Sequence, residues 1–204
     1  MKPTESNATR VERSEPATAE ARGLRTFHRD AENAILDRFG REHGTSTDPE
    51  RLVWERNHPA SLETLREFER AYQSRFGEKP PEAVVGFYDP VERSAHVRIE
   101  RNDDIPGTIA HEHLHGLTSP EAAQTLPPSV VEGAVENYAR KLTEHEPQAG
   151  DFAAYEREVR TIRAVEDNGG ADGVERAVFK GDVAALKKAI DDVFRDRENR
   201  KISR

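Results

Sequence analysis

His111-Glu112-His113-Leu114-His115 is the stretch on which the reading of this chain turns. It has the spacing HExxH, two histidines four apart with a glutamate directly after the first. On an α-helix each residue turns about 100°, so His111 and His115 lie about 40° apart on one face. Two imidazoles one turn apart can share a metal ion, and neutral imidazole suits Zn²⁺. Glu112 borders that face, where a carboxylate can serve as general base in zinc hydrolysis. His113 points about 200° from His111 and is not expected at the same ion. The bland alternative is a chance run of three histidines on a solvated helix.

The flanks support a helix. Asp103 and Asp104 are N-cap candidates, and Pro106 falls in the first turn, where a missing N–H costs nothing. Ile109, Ala110, Leu114 and Leu117 supply an apolar flank. Gly116 is positioned to end the helix, with Pro120 beyond.

His111-Glu112-x-x-His115 resembles the zincin metallopeptidases. The metzincin continuation is missing, since Thr118 and Glu121 stand where that pattern has Gly and His. The gluzincin continuation needs a Glu on a following helix, and Val131-Glu132-Gly133-Ala134-Val135-Glu136 offers two. The chain is thus similar to small gluzincin-type peptidases with a Glu-Gly-x-x-Glu second motif. It departs from the thermolysin-like pattern at Val131 and Glu136, where that pattern has Asn and Asp. The resemblance spans about residues 83–142.

That resemblance implies zinc-dependent peptide-bond hydrolysis on protein or peptide substrates. Its fold would be α+β, a mostly helical zincin-like domain with a short antiparallel sheet packed on the HExxH helix. Zn²⁺ would be held by His111, His115 and Glu132, with Glu112 as catalytic base. Glu132 lies at the margin of its helix's apolar face, beside Gly133, which permits close approach of another backbone or the ion. Glu136 is turned about 40° further and is expected to orient a ligand histidine. Tyr155 is the first candidate for stabilising the oxyanion, with Tyr138 and His145 behind it. Tyr155 and Tyr138 both sit on apolar stripes, so packing is the competing role. Glu132 has a rival role as well: Ser129-Val130-Val131-Glu132 matches a capping box that needs no metal. A non-catalytic zincin-like module that binds peptide or protein is the alternative function.

Composition bounds the rest. The 204 residues carry a net charge of −8, are 34% apolar and 34% charged, and include no cysteine. There is no dense basic block with interleaved aromatics, so nucleic-acid binding is not expected. Disulfides and thiolate metal sites are excluded. The N-terminus lacks an apolar leader and no stretch reaches membrane-span length. The expectation is a cytoplasmic protein, or one exported by a route that needs no N-terminal signal peptide. Oligomeric state is open.

Along the chain, residues 1–22 read as a disordered tail. Residues 23–80 read as a helical N-terminal part, and 81–198 as the metallopeptidase domain. Leu24, Phe27, Ala31, Ile35 and Phe39 recur at helical spacing, with Gly40 as the stop. Residues 41–60 read as irregular around Leu52, Val53 and Trp54. Ser61 is expected to cap a second helix carrying Leu62, Leu65, Phe68, Tyr72 and Phe76, ended by Gly77 and Pro80-Pro81. Ala83–Tyr88 and Ala95–Ile99 read as two strands of a hairpin turning at Asp89-Pro90. In the zincins such an edge strand pairs with extended substrate; the competing reading is an ordinary edge strand with a charged outer face. A helix from Ser129 to about Leu142 carries Glu132. Phe152, Tyr155, Val159 and Ile162 mark another, ending near Asn168-Gly169-Gly170. Val174, Ala177 and Val178 suggest a short helix, and Asp182 a cap for the last.

Overall fold

Polar caps and left-handed residues set the helix boundaries. The computed structural model describes residues 19–145 and 155–202, with side chains described for 27–145 and 155–192. In order the elements are α1 (Ala19–His43), α2 (Pro49–Asn57), β1 (Ser61–Glu63), α3 (Leu65–Phe76), β2 (Gly86–Asp89) and β3 (Ser94–Arg98). There follow α4 (Ile105–Leu117), α5 (Pro120–Thr125), α6 (Pro128–Thr143), α7 (Glu156–Val165), α8 (Ala171–Lys180) and α9 (Val183–Ile202). The fold is α+β and mostly helical, with one small sheet.

The sheet is mixed, not purely antiparallel. Its order is β1-β3-β2, with β2 antiparallel and β1 parallel to the central β3. Ser61–Glu63 is therefore a strand, where the sequence pointed to a helix cap. The cap is Thr64, which accepts from the Glu67 N–H in a reciprocal capping box. A chain of hydrogen bonds ties β1 to β3: Ser94 Oγ to His96 Nε2 (3.0 Å) and His96 Nδ1 to Glu63 Oε1 (2.8 Å).

Residue alternation gives the sheet two faces. Phe87 pairs with His96 on the face that α3 covers, where the Phe68 and Phe87 rings meet edge to face. Gly86 pairs with Val97 on the other face, which lies against α4. No helix among the described residues is long and apolar enough to cross a membrane.

α4 is the hub, touching α1, α2, α6 and both β2 and β3. Asp104 caps it by accepting from the Gly107 N–H. It runs through Gly116 to Leu117, so that glycine is not its stop. A Cβ on Gly116 would meet the Glu55 carboxylate at 2.4–2.8 Å, so the missing side chain makes room for α2. Gly40 also lies inside its helix, where a Cβ would meet Arg56 Nη2 at 2.7 Å. That space lets α2 pack on α1, and α2 itself occupies much of the stretch read as irregular. Beside α4, the core joins Ile35, Leu36 and Phe39 to Leu114, Leu117, Val135, Tyr138 and Phe179.

The buried face of α1 is offset from the expected stripe. Phe27 is 65% exposed, while His28 and Glu32 are buried with Ile35, Leu36 and Phe39. Residues 19–22, read as tail, form the first turn of α1, and the remainder of that tail lies outside the described residues. Phe152 of the later stripe also lies outside them. Val159, Ile162 and Val165 are buried on α7, but Tyr155 is not part of that stripe. It precedes the helix in a left-handed conformation, φ +67°. A π turn at Glu166–Gly170 separates α7 from α8, and Asp182 accepts from the Ala185 N–H at the start of α9.

Candidate metal centre

α4 and α6 run antiparallel, since His115 meets Glu132, His111 meets Glu136, and Asp104 near the start of one approaches His145 beyond the end of the other. Helix geometry then places two imidazoles from α4 opposite two carboxylates from α6. His111 Nε2 and His115 Nε2 are 3.1 Å apart, and Glu132 Oε2 is 3.4 Å from each. A tetrahedral Zn²⁺ about 2.0–2.1 Å from its ligands sets the donor atoms about 3.3–3.4 Å from one another. The observed triangle has that size. Among the described residues these three form the group whose donors lie close enough together to hold an ion.

Two further observations suit a cation. Glu132 Oε2 is buried and has no hydrogen-bond partner among the described residues, so its lone pairs face the two Nε2 atoms 3.4 Å away. His111 donates its Nδ1–H to Glu136 Oε2 at 2.9 Å, which leaves Nε2 aimed at Glu132. Such a carboxylate behind an imidazole fixes the tautomer a metal ligand needs.

The electrostatics agree with the geometry. Burial pulls the His111 imidazole down, but the Glu132 and Glu136 carboxylates outweigh it and push it up to about 10. The pocket thus holds a positive charge strongly. Burial resists ionisation of Glu132, yet the His111 and His115 imidazoles beside it hold its carboxyl well below the ordinary range. Glu136 is lowered in the same way by His111 and Arg140, against its burial. Glu112 moves the opposite way: burial raises it, and the histidines only partly offset that. A carboxylate raised towards neutrality is a better proton acceptor than an ordinary one.

Glu112 lies between α4 and the edge strand β2. A Cβ on Gly86 would meet Glu112 Oε1 at 2.6 Å. The glycine is what lets the strand cross directly over the carboxylate. The sequence signal was an isolated Gly within a strand pattern, which marks a close approach.

The remaining predicted positions separate cleanly. Tyr155 stacks on His111, ring centroids 5.6 Å apart and planes 16° from parallel. Burial, then Glu132 and Glu112, push its phenol up, so it stays a protonated donor at neutral pH. Tyr138 is in the core against Phe179 and His43, and is not at the centre. His145 is half exposed, 3.7 Å from Asp104. The capping box does not form: α6 starts at Pro128 with Pro127 at its cap and no side-chain cap bond. Gly133 gives the expected close approach of another backbone, that of Glu158 on α7, where a Cβ would stand 2.8 Å from its carbonyl carbon.

Two parts of the surroundings escaped the sequence reading. Arg140, 5% exposed, binds Glu136 Oε1 through Nε at 2.8 Å. The i, i+4 spacing of Glu136 and Arg140 was the available signal. Behind α4, His113 is buried between Glu32 and Glu55, one carboxylate on each ring nitrogen. Glu55 also accepts from the Tyr88 hydroxyl at 2.9 Å. These partners come from α1, α2 and β2, and no local pattern announces them.

No protein-family model matches the chain, and no curated protein or solved structure is significantly similar to it.

Proposed function

We propose that this protein is a zinc-dependent peptidase of gluzincin type, acting on protein or peptide substrates. The observation that carries the reading is the convergence of His111 Nε2, His115 Nε2 and the orphaned Glu132 Oε2, with buried Glu112 beside them. His111, His115 and Glu132 would hold Zn²⁺, three protein ligands being the catalytic arrangement. When bound, the ion supplies Lewis acidity to a substrate carbonyl and to water.

The chain's own residues account for the proton movements. Glu112 accepts a proton from the attacking water and returns it to the leaving amine nitrogen. Its raised proton affinity suits both steps. Glu136 keeps the Nδ1–H of His111 in place, so that Nε2 stays the ligand atom. Tyr155, stacked on His111 with its proton retained, is the donor assigned to the carbonyl oxygen that gains charge. The free edge of β2 offers backbone groups to an extended peptide.

The test pairs bound zinc with hydrolysis of a quenched-fluorescent peptide library. Glu112→Gln should keep one zinc per chain and lose about 10²–10⁴-fold in rate. Glu132→Ala should lose zinc under mild chelation. Zinc binding with equal or absent hydrolysis in wild type and Glu112→Gln would leave a non-catalytic, peptide-binding module instead. Wild-type protein without zinc would sink both readings.

A further inference from the structure

We propose that Arg140 is a positioning residue that fixes the ligand histidine and Tyr155 together, by gripping Glu136 on one side and Glu156 on the other. The inference rests on the zinc reading above.

The contacts form one continuous path. His111 Nδ1 meets Glu136 Oε2 at 2.9 Å. Glu136 Oε1 accepts from Arg140 Nε at 2.8 Å, so each oxygen of that carboxylate has a different task. Arg140 Nη1 reaches Glu156 Oε2 at 3.1 Å. Glu156 is the first residue of α7, directly after Tyr155, whose ring lies on His111. The path therefore starts at the Nδ1 edge of His111 and returns through the chain to a face of the same ring.

Three features make Arg140 the organiser of this loop and not a passive neighbour. It is buried, and burying a guanidinium is costly unless its hydrogen bonds are well formed. Its planar fork carries donors in several fixed directions, so it can hold two carboxylates at set angles where an ammonium is a point charge. Tyr155 stands at φ +67°, a conformation that a bulky residue holds only when its surroundings impose it. The Arg140–Glu156 bond anchors the residue immediately after that strained position.

The charge count agrees. Glu112, Glu132, Glu136 and Glu156 bring four negative charges along the path. One Zn²⁺, Arg140 and Arg160, which binds the other oxygen of Glu156 at 2.9 Å, bring four positive charges. Without Arg140 the loaded centre carries an unbalanced negative charge in a buried place, and Glu136 is free to turn away from His111.

Arg140→Met, Arg140→Lys and Glu156→Gln separate the two halves of the path. Circular dichroism first establishes that each full-length variant is folded. Zinc is then titrated against a chelator, and the Co²⁺-loaded proteins are compared by visible absorption, which senses ligand geometry. Arg140→Met should bind zinc about tenfold to a hundredfold more weakly, as loss of an outer partner does. Arg140→Lys should recover only part of this, because it keeps the charge and loses the fork. Glu156→Gln sits on the exposed end, so it should leave zinc affinity and the cobalt spectrum as in wild type. It should lower kcat about threefold to tenfold at constant KM, the size of one polar contact. Wild-type zinc affinity retained in folded Arg140→Met would overturn the proposal, as would an unchanged kcat in Glu156→Gln. A wild type that binds no zinc defeats the peptidase reading itself and is recognised before any variant is compared.

Discussion

The two sides of α4 carry the same residue types and behave in opposite ways. On the front, His111 and His115 each keep Nε2 directed into one space, and the nearest carboxylate oxygen, Glu132 Oε2, lacks a hydrogen bond. On the back, both ring nitrogens of His113 are taken, Nδ1 by Glu55 and Nε2 by Glu32. Arg29 then neutralises Glu32 at 3.1 Å. The back is a finished polar core with no lone pair left for a metal. The front presents three donor atoms to one space, the arrangement that the proposed zinc site requires. Counting histidines does not identify a metal site; the deciding quantity is which nitrogen remains unused.

The largest expected effect breaks the back. His113→Leu removes the cation between two buried carboxylates and should cost about 3–5 kcal/mol of stability, the range for orphaning one side of a buried pair. Urea unfolding measures it. Zinc affinity of the folded variant should stay near wild type. A variant that is fully stable but loses zinc would reverse the division of labour between the two sides.

A smaller effect sharpens the front. Gly86→Ala places a methyl group where Glu112 Oε1 and the Thr108 methyl already stand 2.6 Å away. Either β2 or the carboxylate must shift, and a misplacement of about 1 Å costs about 10²-fold in rate. Peptide hydrolysis should fall by about that factor while zinc content is unchanged. An undiminished rate would show that Glu112 need not sit beneath the strand.

The smallest effect per step is in pH, and the two sides respond with opposite sign. His111 must shed a proton to bind zinc and, metal-free, keeps it up to about 10. Zinc affinity should therefore rise about tenfold per pH unit across the neutral range, for one proton displaced. His113 is held down by burial, but the carboxylates of Glu32 and Glu55 prevail and raise it to about 9 from an ordinary 6.5. A raised pKa stabilises fully below the unfolded value, and that stabilisation is lost as pH climbs through the folded one. The stability difference between wild type and His113→Leu should thus shrink between pH 6.5 and 9. Chelator titrations and urea curves at several pH values read the two trends. Parallel trends would mean that the two sides are not electrically distinct.

What the sequence determined by itself was local. The four-residue spacing of His111 and His115 settles that they share a helix face, because helix geometry depends only on the neighbouring turn. The helix of Glu132, the strands near 86–89 and 94–98, and the start of α4 at Asp104 follow from equally local signals. Gly40 and Gly116 were misread as stops because a glycine signals an absent side chain without saying why it is absent. In this fold the reason is another helix, supplied by Arg56 and Leu52 in one case and Glu55 in the other. β1 was missed for a related reason: three residues carry no period, and only pairing with β3 makes them a strand. The arrival of Glu132 and Glu136 at the histidines, the grip of Arg140, and the sealing of His113 by residues 58 and 81 positions away are tertiary decisions. Periodicity states which way a side chain faces. Only the packing of distant segments states what it meets there, and that choice made the front of α4 a candidate metal centre and the back a closed ion cluster.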